Sequence, residues 1–275
     1  MKQKRSLRFS TLLMAFRTVV GVLASYAAIS PASASELSAY LRTYAVASGG
    51  SEDEKVFTQT ITPTTTAEWL SASSTSNSIG RFSDDHPPSS YSDGYVSAQY
   101  AVLKARVDSI NIGGGVAQTG AETYFSDVMS VHSPYLYEVE GTARINLLAI
   151  WDLINLNGGN TSAFAQVQLG SSVAVLRERV DCMFGDECER TRSLVINGVE
   201  VPFSMSFTLT VPLVFDEDIV LQMWLQTNST AAGVGDAPEM AVEAAVLGHR
   251  SYYWGGIEEV TYGGTPVEFT VTSES

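Results

Sequence analysis

The stretch Pro202-Phe203-Ser204-Met205-Ser206-Phe207-Thr208-Leu209-Thr210-Val211-Pro212-Leu213-Val214 decides the fold class. Phe203, Met205, Phe207, Leu209, Val211 and Leu213 share one parity, and Ser204, Ser206, Thr208 and Thr210 share the other. Successive side chains of a strand point to opposite faces, so this pattern is a strand with one buried and one solvated side. Pro212 marks a strand end or a bend, because it cannot donate to a ladder. Asp216-Glu217-Asp218 follows and reads as a hairpin turn into a second strand over 219–227. There Ile219, Leu221, Met223 and Leu225 share a face, with Gln222, Trp224 and Gln226 opposite.

The same period recurs on both sides of this segment. Ala143, Ile145, Leu147, Ala149, Trp151 and Leu153 alternate with Arg144, Asn146, Leu148, Ile150 and Asp152. Asn157-Gly158-Gly159-Asn160 reads as the turn that returns this strand into 163–169. Asn197-Gly198, between 194–196 and 199–201, is a strong hairpin signal, since both residues tolerate positive φ. Residues 95–110 suit one bent strand or two, and 121–131, 173–179, 241–247 and 267–271 complete the main set. Residues 36–47 could form a short helix. Residues 71–78 are all Ser, Thr, Asn or Ala, and Asp84-Asp85-His86-Pro87-Pro88 follows, so 71–94 reads as a flexible loop. Ten to twelve strands without crossover helices imply an all-β fold. The expected architecture is an antiparallel β-sandwich, jelly-roll-like or immunoglobulin-like, over 35–275 as one domain. A single closed barrel is the alternative.

Residues 1–34 read as a secretory signal peptide. Lys2, Lys4, Arg5 and Arg8 precede an apolar stretch over 11–29, interrupted by Arg17. Ala32 and Ala34 supply the small residues of a cleavage site, with scission expected after Ala34. Of the 16 basic and 30 acidic residues, five basic and no acidic ones lie in this segment. The remaining 241 residues carry 11 basic and 30 acidic side chains, a formal charge of −19 against −14 for the whole chain. Such acidity argues against nucleic acid as a partner. No later stretch is apolar enough to span a membrane as a helix. The expected location is therefore secreted or periplasmic.

Chemistry-bearing residues are sparse. Cys182 and Cys188 are the only cysteines, and in an exported chain their spacing suits a disulfide that pins a loop tip. His86, His132 and His249 show no metal-ligand spacing and read as surface or rim residues. No phosphate-cradling loop or serine-nucleophile elbow is present, and no catalytic residue is elected. Hard oxygen ligands in loops suit calcium, the one cofactor considered, with Asp216, Glu217 and Asp218 as the main candidates. Asp84 with Asp85, and Asp181 with Asp186 and Glu187, are further acidic pairs and clusters of this kind. Tyr252, Tyr253 and Trp254, close to Arg250, form the aromatic cluster best placed to stack on sugar rings.

Ser126-Asp127-Val128-Met129-Ser130-Val131-His132-Ser133-Pro134, followed by Gly141-Thr142-Ala143-Arg144-Ile145-Asn146-Leu147, resembles a pattern of bacterial exported PEP-CTERM proteins. Residues 100–107 and 265–273 are similar as well. The resemblance implies a secreted β-rich chain associated with exopolysaccharide machinery. The family's C-terminal Pro-Glu-Pro motif, spanning helix and basic tail have no counterpart before Ser275, so anchoring by that route is not implied. The function expected from these readings is a non-enzymatic extracellular matrix or cell-surface component, with polysaccharide or other surface proteins as partners. The alternative is a carbohydrate-binding module or a sugar-active enzyme using a sandwich cleft.

Overall fold

The computed structural model describes residues 35–63, 68–80, 87–156, 158–182, 188–233 and 241–273. The expected signal segment lies outside them. Sixteen strands, numbered in chain order, form two antiparallel sheets among the described residues. The nine-stranded sheet has the spatial order β11 (Val199–Val201), β10 (Cys188–Ile196), β9 (Ser172–Cys182), β8 (Gly159–Leu169), β13 (Asp218–Gly233), β6 (Gly115–His132), β1 (Glu36–Ala47) and β2 (Glu52–Ile61). Its ninth strand, β16 (Thr270–Ser273), also pairs with β6. The seven-stranded sheet has the order β12 (Ser206–Val214), β7 (Glu140–Leu156), β14 (Ala241–Tyr262), β5 (Val102–Ile112), β4 (Ser89–Gln99) and β3 (Trp69–Ile79). Its seventh strand, β15 (Thr265–Pro266), pairs with β14. The sheets pack face to face as a β-sandwich with free outermost strands, not as a closed barrel. The described residues belong to one compact unit.

The alternating segments form strands as their pattern requires. Leu209, Val211 and Leu213 of β12 are buried, and so are Leu221, Met223 and Leu225 of β13. Their connection differs from the expected hairpin. β12 pairs with β7 in one sheet, whereas β13 pairs with β6 and β8 in the other. The turn at Phe215–Glu217 therefore crosses the sandwich. The link after β7 crosses in the same way, because β8 lies in the opposite sheet. Both faces meet the same core, so alternation alone cannot say whether a turn keeps the chain in one sheet. Asn197-Gly198 does close a hairpin, with both residues at positive φ and Ile196 opposite Val199.

Two further expectations are corrected, and one left open is settled. Residues 36–47 are the strand β1, not a helix: Leu37, Ala39, Leu41, Ala45 and Ala47 are buried along one side, and the segment pairs with β2 and β6. Residues 95–110 are two strands joined at Tyr100 and Ala101. Most of 71–94 is a paired hairpin, β3 with β4, and 81–86 lie outside the described residues. Ser74, Ser76 and Ser78 of β3 and Ser90 and Ser92 of β4 face the core. Thr43 on β1 contacts the Ser74 and Ser76 hydroxyls at 3.0 and 2.9 Å. Ser109 and Ser229 meet across the sheets at 2.7 Å, and Asn111 Nδ2 donates to Ser90 Oγ at 2.6 Å.

The core thus changes character along the strands. One part is filled by Phe125, Met129, Leu147, Leu169, Leu221 and Tyr252. The other is lined by small hydroxyls, alanines and Gly94, where an added Cβ would sit 2.4 Å from Leu41 Cδ1 and 2.8 Å from Thr119 Cγ2. Hydroxyls placed between close sheets can bond each other, which offsets their desolvation. The free edge of β3 is capped by the neighbouring edge strand. Asp53 Oδ2 accepts the Asn77 N–H at 2.9 Å, and Lys55 Nζ donates to the Thr75 carbonyl. Such capping blocks edge-to-edge pairing with another chain.

At the far side of the nine-stranded sheet, Glu178 is 2% exposed. Its carboxylate accepts from Trp151 Nε1 at 2.7 Å and from Arg192 Nε at 2.7 Å, with Arg190 Nε at 3.4 Å. Trp151 belongs to the opposite sheet, so this buried charge ties β9 and β10 to β7. Glu178→Ala is expected to lower stability by about 3–5 kcal/mol in urea unfolding, because it leaves buried donors unpaired. A loss below about 1 kcal/mol would contradict that role. By contrast, Thr227 is fully buried and its hydroxyl has no partner. Thr227→Val should hold or raise stability, by up to about 1–2 kcal/mol.

Candidate functional site

The aromatic cluster expected to face sugars does not form a surface platform. Tyr252 is 0% exposed, packs in the core, and burial drives its phenol pKa far upward. Trp254 is half-buried against Tyr100, with ring centroids 6.3 Å apart, and its backbone N–H donates to the Ala101 carbonyl at 3.0 Å. Only Tyr253 takes the outward parity, beside Leu148 and Val102. The side chain of Arg250 lies outside the described residues. Three consecutive strand residues cannot share one face, and this is the reason the cluster divides.

Asp216, Glu217 and Asp218 do not converge on a common point. The His132 Nδ1–H donates to Asp216 Oδ1 at 2.5 Å, and Ser130 Oγ donates to Asp218 Oδ1 at 2.6 Å. Among the described residues, no group of three or more His, Cys, Asp or Glu could hold a metal ion. Asp84, Asp85, Asp186 and Glu187 lie outside the described residues. Asp181 pairs with Arg179 at 2.6 Å.

His132 is not a solitary rim residue. Its second ring nitrogen lies 2.8 Å from Thr272 Oγ1, so Asp216, His132 and Thr272 form a continuous chain of hydrogen bonds. Carboxylate, imidazole and hydroxyl in this order can activate a nucleophile when a substrate cavity adjoins the hydroxyl. Here the nearby cleft is lined by Glu140, Pro212, Leu213, Glu217 and Asp218, and by neither His132 nor Thr272. Thr272 also sits within the β16–β6 ladder opposite Ser130. The arrangement clasps the Asp216 turn and the C-terminal strand to the end of β6. Sequence spacing could not reveal it, since its members lie 84 and 140 residues apart.

Cys182 and Cys188 are bonded and stand opposite each other at the tip of the β9–β10 hairpin. No free cysteine remains.

The outer face of the nine-stranded sheet carries a different constellation. The register aligns Tyr124, Trp224 and Gln166 in one row across β6, β13 and β8. The adjacent row is Tyr40, Glu122, Gln226, Phe164 and Arg177, from β1 to β9. Adjacent strands are about 4.8 Å apart, and rows two residues apart are separated by roughly 7 Å. Phe164 and Trp224 meet edge to face at 6.1 Å, and Arg177 lies 5.4 Å over the Phe164 ring. Gln118, Gln166, Gln168, Gln222 and Gln226 all take this outward parity, and all are half-buried. They are five of the chain's eight glutamines. Gly120 lies between Arg42 and Asn228 in the next row, where an added Cβ would sit 3.2 Å from Asn228 Oδ1. Burial raises the pKa of the Glu122 carboxyl, opposed by the neighbouring Trp224 indole. In the row of 219–227, Gln222, Trp224 and Gln226 were legible as an outward face. Their alignment with Tyr124 and Phe164 depended on the unseen register.

Comparison with protein-family models, with curated proteins and with solved structures gives no match. The site therefore rests on its own geometry. Tyr252→Phe removes a buried hydroxyl without a hydrogen-bond partner. It should keep or raise the unfolding temperature and leave the outer face unaltered. A loss above about 2 kcal/mol would show that the phenol is bonded in the core.

Proposed function

We propose that the chain is exported through its first 34 residues and acts as a non-enzymatic matrix or cell-surface protein that holds a neutral polysaccharide on the outer face of the nine-stranded sheet. The observation that carries this reading is the joint placement of Tyr124, Trp224, Phe164 and Tyr40 with five glutamines on one face. Sugar rings present apolar C–H surfaces that stack on aromatic rings. Their hydroxyls both donate and accept, and so does a carboxamide. The central rows of the face hold amides and aromatics where a polyanion-binding face would hold several Lys or Arg. The overall negative charge disfavours polyanions further. The resemblance of 126–147 to exported PEP-CTERM proteins supports an extracellular setting near polysaccharide.

The test is a panel of neutral and acidic glycans, followed by titration calorimetry on the bound polysaccharide. Trp224→Ala should weaken binding at least about tenfold while the unfolding temperature stays within a few degrees. Trp254→Ala, in the half-buried cluster, should lower stability instead. Absence of retained glycan, or equal affinity for wild type and Trp224→Ala, would overturn the reading.

A further inference from the structure

Asp127 is an inward-facing carboxylate with 0% exposure. Its oxygens accept from two hydroxyls, Ser35 Oγ at 2.7 Å and Ser273 Oγ at 2.6 Å. The Tyr100 phenol is the third neighbour; its pKa is raised by burial and by the adjacent charge of Asp127. Among the described residues, no Lys, Arg or His forms an ion pair with Asp127. A fully buried charge satisfied by hydroxyls alone is costly, because desolvation is offset best by an opposite charge.

The surrounding ladder shows what occupies this point. β1 begins with Glu36 opposite Ser126, and β16 ends with Ser273 opposite Met129. Both lie along the same edge of β6, end to end. Only Asp127 and Val128 of that edge fall between them. The space fits the start of a strand at Ser35 but not a strand continued far upstream, since Met129 is taken. Ser35 itself is 3% exposed. Its nitrogen is three bonds from Oγ, which keeps it within roughly 6.5 Å of the Asp127 carboxylate. The sequence places the expected cleavage at the bond just before it, after Ala34.

We propose that hydrolysis of the Ala34–Ser35 bond creates the missing counter-ion, so that the new α-ammonium of Ser35 pairs with buried Asp127 and locks β1 against β6 and β16. In that step a signal peptidase adds water: the hydroxyl joins the Ala34 carbonyl carbon, and the Ser35 nitrogen leaves as an amine that takes up a proton. Maturation thereby completes the fold's central ladder. The inference rests on the export reading above.

The sign of the pH effect follows. An α-amine titrates near 7.7–8.0 in an unfolded chain. A carboxylate within this distance raises its folded pKa. The stabilisation is complete below about pH 8 and is lost as pH rises through the folded value. Among the described residues, Tyr100 from the β4–β5 turn is the titratable group beside Asp127, Glu36 on β1 and Tyr124 on β6 flank it on the outward parity, and β13 and β16 carry none opposite it. Burial raises both phenols, so they titrate above the amine.

The full-length chain is expressed in an exporting bacterium, and the processed product is weighed by mass spectrometry. Its α-amine pKa is then read from the pH dependence of acylation. A product starting at Ser35 with an amine pKa at least one unit above the ordinary value is expected. Between pH 7 and pH 10 its unfolding temperature should fall by about 4 °C more than that of Asp127→Asn. A product that starts elsewhere overturns the processing step. A product that starts at Ser35 with an ordinary amine pKa overturns the ion pair alone. The amine measurement needs no variant, so it decides the matter even if Asp127→Asn fails to fold.

Discussion

The ladder made by β6 is the contact on which the rest of the sandwich depends. One edge of β6 pairs with β13 from Gly115 to Ser130. The other pairs with β1 and then with β16. A strand buried between neighbours must have its peptide groups bonded on both edges, since each unpaired one costs more than a made bond returns. β6 meets this requirement with strands from the start, the middle and the end of the chain. It also fixes parity. Odd residues such as Phe125, Asp127 and Met129 enter the core, whereas Gln118, Glu122 and Tyr124 face outward. A slip of one residue would exchange these sets and bury the amide face.

From that parity come both the core and the site. Large apolar residues collect at one part of the interior and hydroxyls at the other, where small side chains let the sheets approach. The chain crosses between sheets repeatedly, so long-range contacts dominate. Polar clasps secure the periphery: Glu178 with Trp151 and the two arginines at one side, and Asp216, His132 and Thr272 at one strand end. The outer aromatic and amide rows need no loop to position them. The sheet itself sets their spacing, through the register of β1, β6, β13, β8 and β9.

Much of the fold was legible where the buried face is apolar. Residues 202–214 and 143–153 alternate so strongly that no other reading competes. The signal fails where the buried residues are small or polar. In β3 the inward residues include Ser74, Ser76 and Ser78, so a core-facing strand looked like a loop. In β1 the inward Ala39, Ala45 and Ala47 are also good helix formers, and pairing on both edges overrode that propensity. The links after β7 and β12 carry ordinary turn residues, so their crossing of the sandwich was invisible. The site was legible only in part. Trp224 and its flanking glutamines declared an outward face, but their partners on β6 and β8 required the register. Tyr252-Tyr253-Trp254 stood out by composition, yet a strand distributes such neighbours to opposite sides.

Residue-resolved amide hydrogen exchange tests the central role of β6 most directly. Amides within the β6–β13 ladder, such as those of Ala121, Phe125 and Leu225, should exchange only through global unfolding and be the slowest in the chain. The short strands β11 and β15 should exchange by local opening. Slow exchange confined to β3 and β4, with β6 exchanging as fast as β15, would contradict the account.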